Sequence, residues 1–282
     1  MTPWIPLLRP GNAVIAAAAV WVGWAGLRLQ PEWQLAFWGS LSMFLMVAAG
    51  NAHNDTLDLE TDRVNRPLRP LAAGLIRVGS ARAAAALLLA LAVVAAWIGS
   101  PLHGALALVM AVLLWAYNRF LKGTPLAGNF VVSLLCGLAV YFVELPLLVD
   151  FPELAYDSLP AALFAFLATF AREVAKDAED VAGDRAAGLR TFAVTAGTDA
   201  ARRLVFSLVV LLLLFLPVPL LFFDYHARYA LVLLVAATPV IILLLRALAR
   251  DGGDFTAAQK LLKLLMLAGM AAILAGTVGR GG

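Results

Sequence analysis

Of the chain's 282 residues, 63% are hydrophobic and only 14% charged, well below the roughly 25% charged that a soluble domain carries. Apolar stretches recur from end to end, which excludes a soluble domain of ordinary size beside the membrane part; residues 1–282 read as one all-α, polytopic membrane domain. A single cysteine, Cys136 in the run VVSLLCGLAV, excludes a disulfide framework and reads as a small buried apolar side chain.

A bilayer takes about 20 apolar residues per helical span. In chain order the pattern predicts spans over 12–29, 33–54, 80–99, 102–119, 126–147, 160–178, 200–223, 228–249 and 258–279, about nine in all. The opening MTPWIPLLRPGNAV lacks the basic start and small-residue cleavage site of a secretory signal, so the first span is expected to be retained. Pro217 and Pro219 should kink or end the seventh helix, because proline removes a backbone donor and clashes with the preceding turn.

The basic residues test this layout, since cytoplasmic loops collect Lys and Arg. With the N-terminus inside, all of them except Arg28, Arg228 and Arg280 fall on the inner side, and the outer stretch around 144–157 is acidic (Glu144, Asp150, Glu153, Asp157). The formal charge of +3 therefore reports topology and is no argument for a nucleic-acid partner. The expected location is the cell (plasma) membrane, with the N-terminus and the polar motifs at the cytoplasmic face.

Two acidic motifs stand out. The first, NAHNDTLDLETDRVNRPLRP, begins where the second apolar span runs out, and the second is REVAKDAEDVAGD. An offset of 122 residues carries Asp55, Asp58, Asp62 and Arg63 onto Asp177, Asp180, Asp184 and Arg185. Each copy follows an even-numbered span, which suggests that helices 1–4 and 5–8 are related by a parallel repeat. On a helix, positions i, i+3 and i+7 share one face, so each set of three aspartates is expected to project together until Pro67 ends helical geometry in the first. Two such faces at one membrane mouth concentrate about six carboxylates, which repel unless a cation neutralises them. Oxygen-only ligands favour a hard ion such as Mg²⁺, which binds through one or two carboxylates and shares its other positions with water and substrate phosphate. The six aspartates are thus the expected metal and catalytic residues. Asn51 and Asn54, within a turn of Asp55, can complete a metal shell or orient its waters.

Basic residues surround both sets: Arg63, Arg66 and Arg69 after the first, Arg172, Lys176 and Arg185 around the second, and Lys122 after the fourth span. Arg grips phosphate bidentately and Lys acts as a point charge, so Arg63, Arg66, Arg69, Lys122, Arg172 and Lys176 are candidate substrate-binding residues. His53, His103 and His226 are scattered, without paired ligand spacing. A cation transporter is the competing class, but its site is expected near the bilayer midplane rather than at one face.

Asn54-Asp55 opening NDxxDxxxD, followed by RPLAAG and by a second aspartate set half a chain later, resembles the UbiA superfamily of intramembrane prenyltransferases over nearly the whole length. The resemblance implies nine helices around a central cavity, with Mg²⁺ bridging the aspartate sets to an isoprenyl diphosphate. It also implies that Lys122 holds the diphosphate and that the prenyl tail runs into the membrane-facing cavity. DLETDRVNRPLRP, REVAKDAEDVAGDRAAGLRT and LKGTPLAGN are most similar to the branch that moves a geranylgeranyl group from its diphosphate to the hydroxyl of geranylgeranylglyceryl phosphate, in ether-lipid synthesis. RAAGLRTFAV is also similar to quinone-pathway members, which leaves an aromatic acceptor open.

Overall fold

The computed structural model describes residues 2–28, 31–152 and 156–277, with the side chains of 64 and 65 left aside. Glu153 and Arg280, counted above among the outer charges, and the last residues of the ninth span lie outside the described residues. The chain divides into two compact units, Met1–Trp21 with Pro31–Lys122, and Val22–Gln30 with Gly123–Gly282.

Helices carry nearly all of the described chain, and each of the nine apolar stretches contains one. Among the described residues, six segments are long and apolar enough to cross a membrane: Trp33–Leu57, Val78–Gly99, Pro101–Leu121, Thr198–Phe222, Arg228–Ala249 and Phe255–Thr277. Among the other three, Pro10–Gly26 and Ala127–Val140 are shorter, and Leu159–Glu179 ends in a charged turn. Large apolar side chains such as Leu87, Val94, Ile98, Val109, Val112, Leu214 and Leu234 stand exposed along these helices. On a water-soluble protein such surface would drive aggregation; against acyl chains it is the required solvent boundary. The protein is a multi-pass membrane protein.

In the first unit, Trp33–Leu57 packs along Val78–Gly99, which turns at Ser100 into Pro101–Ala116. Small residues make the close approach possible. Ala48, Ala49 and Ala52 on one helix and Ala81, Ala85, Ala92 and Ala96 on the next are all buried, and a Cβ on Gly50 would meet the Leu114 side chain at 3.0 Å. Proline at the first helical position and Ser100 as its N-cap, accepting from the His103 N–H, start Pro101–Ala116 cleanly. That helix loosens into a π-turn over Tyr117–Leu121, which delivers Lys122 in extended backbone.

In the second unit, Leu159–Glu179 is the hub, packed by Ala127–Val140, Thr198–Phe215 and Phe255–Thr277. Its core gathers Ala168, Ala171, Ala175, Val205, Leu212, Leu244, Leu262 and Leu265. Gly23 abuts the backbone of this unit so closely that a Cβ there would stand 1.8 Å from the Val140 carbonyl oxygen. Thr198–Phe215 stops before Pro217, and a short helix Val218–Phe222 resumes after it, as the proline pair predicts.

One expectation is corrected by the backbone. The aspartates do not lie on uninterrupted helices. Trp33–Leu57 ends at Asp58 and Leu59–Asn65 starts beyond it, while Leu159–Glu179 ends at Asp180 and Val181–Ala186 follows. Both middle aspartates adopt nearly the same angles, φ −85° and ψ 5° at Asp58 and φ −87° and ψ 4° at Asp180. Near ψ of zero the chain bends, and aspartate tolerates such helix-end geometry because its short side chain competes for local hydrogen bonds. Backbone bonds still bridge each bend, Asp62 N–H to Asp58 carbonyl at 2.7 Å and Asp184 N–H to Asp180 carbonyl at 3.0 Å.

Candidate active site

The first aspartate set sits at the end of Trp33–Leu57, where an apolar helix runs out into Arg66, Pro67, Arg69 and Pro70. Asp55 is buried, 1% exposed, and Asp62 is 5% exposed. Carboxylates this enclosed need partners. Arg69 supplies one by folding back from the loop: its Nη1 stands 2.6 Å and 2.8 Å from the two oxygens of Asp62 and 3.4 Å from Asp55 Oδ1. Arg9 supplies the other, its Nη2 donating to Asp55 Oδ1 and its Nη1 to Asn51 Oδ1 at 3.4 Å. Asn51 is itself fixed by donating to the Leu8 carbonyl at 3.2 Å.

Asp58 is more open and is held separately. Lys122 Nζ pairs with Asp58 Oδ2 and donates to Asn54 Oδ1 at 2.6 Å, while Asn54 Nδ2 donates to the same Asp58 oxygen at 3.0 Å. Asparagine 54, aspartate 58 and lysine 122 therefore form a closed triangle at the end of the π-turn. Arg63 is not brought to the set; it pairs with exposed Glu60 at 2.8 Å. Arg66 joins the set through its backbone, its N–H donating to the Asp62 carbonyl at 2.8 Å and its carbonyl accepting from Arg69 N–H at 3.0 Å.

The second set is built differently around the same bend. Asp177 Oδ2 accepts from Asn129 Nδ2 at 2.8 Å, and Asp184 Oδ2 accepts from Thr191 Oγ1 at 3.3 Å. Arg172 and Lys176 pair with Glu173, whose carboxylate stands 2.5 Å from Arg172 Nη1 and 3.8 Å from Lys176 Nζ. Asp180, the helix-end residue, sits between Leu159–Glu179 and Val181–Ala186.

Arg9, Asn129 and Thr191 were not among the candidates read from sequence. Arg9 lies 46 residues from Asp55, and its role depends on a left-handed backbone (φ 48°, ψ 62°) between two helices. The Pro10 that follows it was the available signal: proline starts the next helix and leaves the arginine at the joint. Burial works to lower the Arg9 pKa from arginine's ordinary value, and the Asp55 carboxylate opposes it.

The donors are carboxylate and amide oxygens, which suit Mg²⁺. Among the described residues no three His, Cys, Asp or Glu side chains converge into a ready-made metal cage.

The UbiA prenyltransferase family matches residues 14–273. The digeranylgeranylglyceryl phosphate synthase of Methanopyrus kandleri is 37% identical over 281 residues, covering 98% of this chain and 99% of that one. A UbiA homologue from Aeropyrum pernix shares the fold with a TM-score of 0.78 at 19% identity, over 96% of this chain and 98% of the other. A UbiA homologue from Archaeoglobus fulgidus, solved with GPP and Mg²⁺, gives 0.62 at 20% identity, over 96% of this chain and 99% of the other. An all-helical membrane chain with two aspartate sets, matched from near its first residue to near its last, belongs to the UbiA prenyltransferase family.

Proposed function

We propose that this prenyltransferase moves a geranylgeranyl group from its diphosphate to the free hydroxyl of geranylgeranylglyceryl phosphate, with Mg²⁺, as a step of ether-lipid synthesis. The observation that carries the reading is the 37% identity over 98% of the chain to the M. kandleri synthase, whose name states that product. The A. fulgidus homologue, which binds GPP and Mg²⁺, supports an isoprenyl diphosphate donor and a magnesium cofactor.

In this reading residues 1–282 act as a single transmembrane prenyltransferase domain of nine spans around a central cavity, its halves related by a parallel repeat. The protein lies in the plasma membrane with its N-terminus and both aspartate sets cytoplasmic. The matching bends at Asp58 and Asp180 support the repeat, and the one-sided basic residues support the orientation.

In this reading Asp55, Asp58 and Asp62 and, in the second set, Asp177, Asp180 and Asp184 are the residues that would hold the metal. Mg²⁺, when bound, offsets the charge that grows on the leaving diphosphate. Lys122 adds a point charge to the same oxygens, and Asn54, bonded to both Lys122 and Asp58, keeps the ammonium aimed. Arg9 and Arg69 hold Asp55 and Asp62 in place, so that these groups need not reorganise as charge develops, the condition under which electrostatic stabilisation is largest. The allylic carbon–oxygen bond breaks with its electron pair leaving on the diphosphate, the acceptor hydroxyl oxygen bonds to the resulting allylic cation, and the hydroxyl proton passes to the released diphosphate. Apolar helices exclude the water that would otherwise quench the cation.

The test is to supply geranylgeranyl diphosphate, Mg²⁺ and two acceptors, geranylgeranylglyceryl phosphate and an aromatic acid, to one preparation of the full-length enzyme. The product mass should be that of the digeranylgeranyl lipid. A prenylated aromatic product in its place would overturn the acceptor and keep the chemistry.

A further inference from the structure

The offset that superposes the two aspartate sets also exposes where they differ. Carried by the same 122 residues, Gly50, Asn51 and Asn54 correspond to Arg172, Glu173 and Lys176. The first copy fills these positions with neutral residues and still assembles its aspartates. The second copy puts three charges there.

The pairing also differs. In the first unit Arg9, Arg69 and Lys122 ion-pair with the aspartates themselves. In the second, Arg172 and Lys176 ion-pair with Glu173 instead. The Glu173 side chain is 11% exposed, whereas Arg172 and Lys176 are 26% and 33% exposed. One enclosed carboxylate thus anchors two cations whose side chains stay partly exposed, leaving a net charge of one positive. A guanidinium has five N–H donors and an ammonium three, so each keeps donors after bonding Glu173. This is the chemistry that grips a phosphate monoester, the guanidinium in a two-point fork and the ammonium as a point charge.

Position along the helix suggests which phosphate. Glu173 and Asp177 stand four residues apart and share a face, about 6 Å along the axis. In a glyceryl phosphate the phosphate and the free hydroxyl are separated by a few bonds, on the order of the same distance. We propose that Arg172 and Lys176, held by Glu173, bind the phosphate monoester of the acceptor lipid one turn away from the diphosphate site. Glu173 is the positioning residue that holds these two cations together. The inference rests on the proposed function and names the subsite for its second substrate.

The test uses the full-length enzyme with geranylgeranyl diphosphate and two acceptors, geranylgeranylglyceryl phosphate and the same lipid without its phosphate. Losing a charge-assisted bond costs about ten- to a hundredfold in affinity, so Arg172→Gln should raise the KM for the phosphorylated acceptor by that factor and leave the donor KM within about twofold. With the dephosphorylated acceptor, wild type and variant should converge. Glu173→Gln should raise the same KM and spare kcat, and Arg172→Lys, which keeps charge without the fork, should fall between and serves where Arg172→Gln does not accumulate. Binding of the phosphorylated lipid in EDTA, followed by tryptophan fluorescence, should persist in wild type and weaken in Arg172→Gln. A shift in donor KM, or equal losses with both acceptors, would overturn the subsite and assign these cations to the diphosphate. If wild type uses neither lipid but prenylates an aromatic acid, the functional reading fails and this subsite with it.

Discussion

Replacing Arg69 with methionine should destabilise the protein through two carboxylates at once. Arg69 is the cation bonded to both oxygens of Asp62, and it also stands 3.4 Å from Asp55. The side chains of Asp62 and Asp55 are 8% and 2% exposed, so water replaces little of what is removed. Stripping one partner from a buried pair costs about 3–5 kcal/mol. The Arg69 side chain is 20% exposed and Arg9 still serves Asp55, so a cost at or just below the foot of that range, about 2–3 kcal/mol, is expected. At roughly 2 °C per kcal/mol for a chain of this size, the melting temperature in detergent should fall by about 4–6 °C. The cause is the stranded charge, so adding Asp62→Asn to Arg69→Met should restore much of the loss, with a coupling of about 1–3 kcal/mol. A melting temperature within about 1 °C of the parent, or a double variant less stable than Arg69→Met alone, would refute the assignment.

Two further outcomes follow from the same geometry. Lys122→Met removes the shared partner of Asn54 and Asp58 and should raise the KM for the isoprenyl diphosphate by about ten- to a hundredfold while the acceptor KM holds, as read by initial rates at varied donor. Gly23→Val would push a side chain onto the Val140 backbone, where even a Cβ has only 1.8 Å. It should cost several kcal/mol, as backbone-displacing overpacking does, and appear as lost folded protein in size-exclusion chromatography.

The aspartate sets and the membrane segments were legible in the sequence because both are local patterns: a spacing repeated at a fixed offset, and runs of apolar residues of bilayer length. What the sequence left hidden depends on distant approach. Asn129 reaches Asp177 across 48 residues because a small-residue face on Ala127–Val140, where a Cβ on Gly137 would stand 3.1 Å from the Ala162 carbonyl oxygen, lets two helices touch. Arg9 reaches Asp55 only because its backbone turns left-handed. The bends at Asp58 and Asp180 were missed for a different reason. The spacing i, i+3, i+7 is satisfied by a continuous helix, and helical periodicity alone does not register one residue near ψ of zero.

The most direct measurement of the central claim is Mg²⁺-dependent formation of the digeranylgeranyl lipid by wild type, Asp58→Ala and Asp180→Ala in membranes, with labelled geranylgeranyl diphosphate. Wild type should turn over with Mg²⁺ and stop in EDTA, and both variants should lose transfer. Near-normal turnover in both variants would contradict the account, because neither aspartate set could then be holding the metal and the diphosphate.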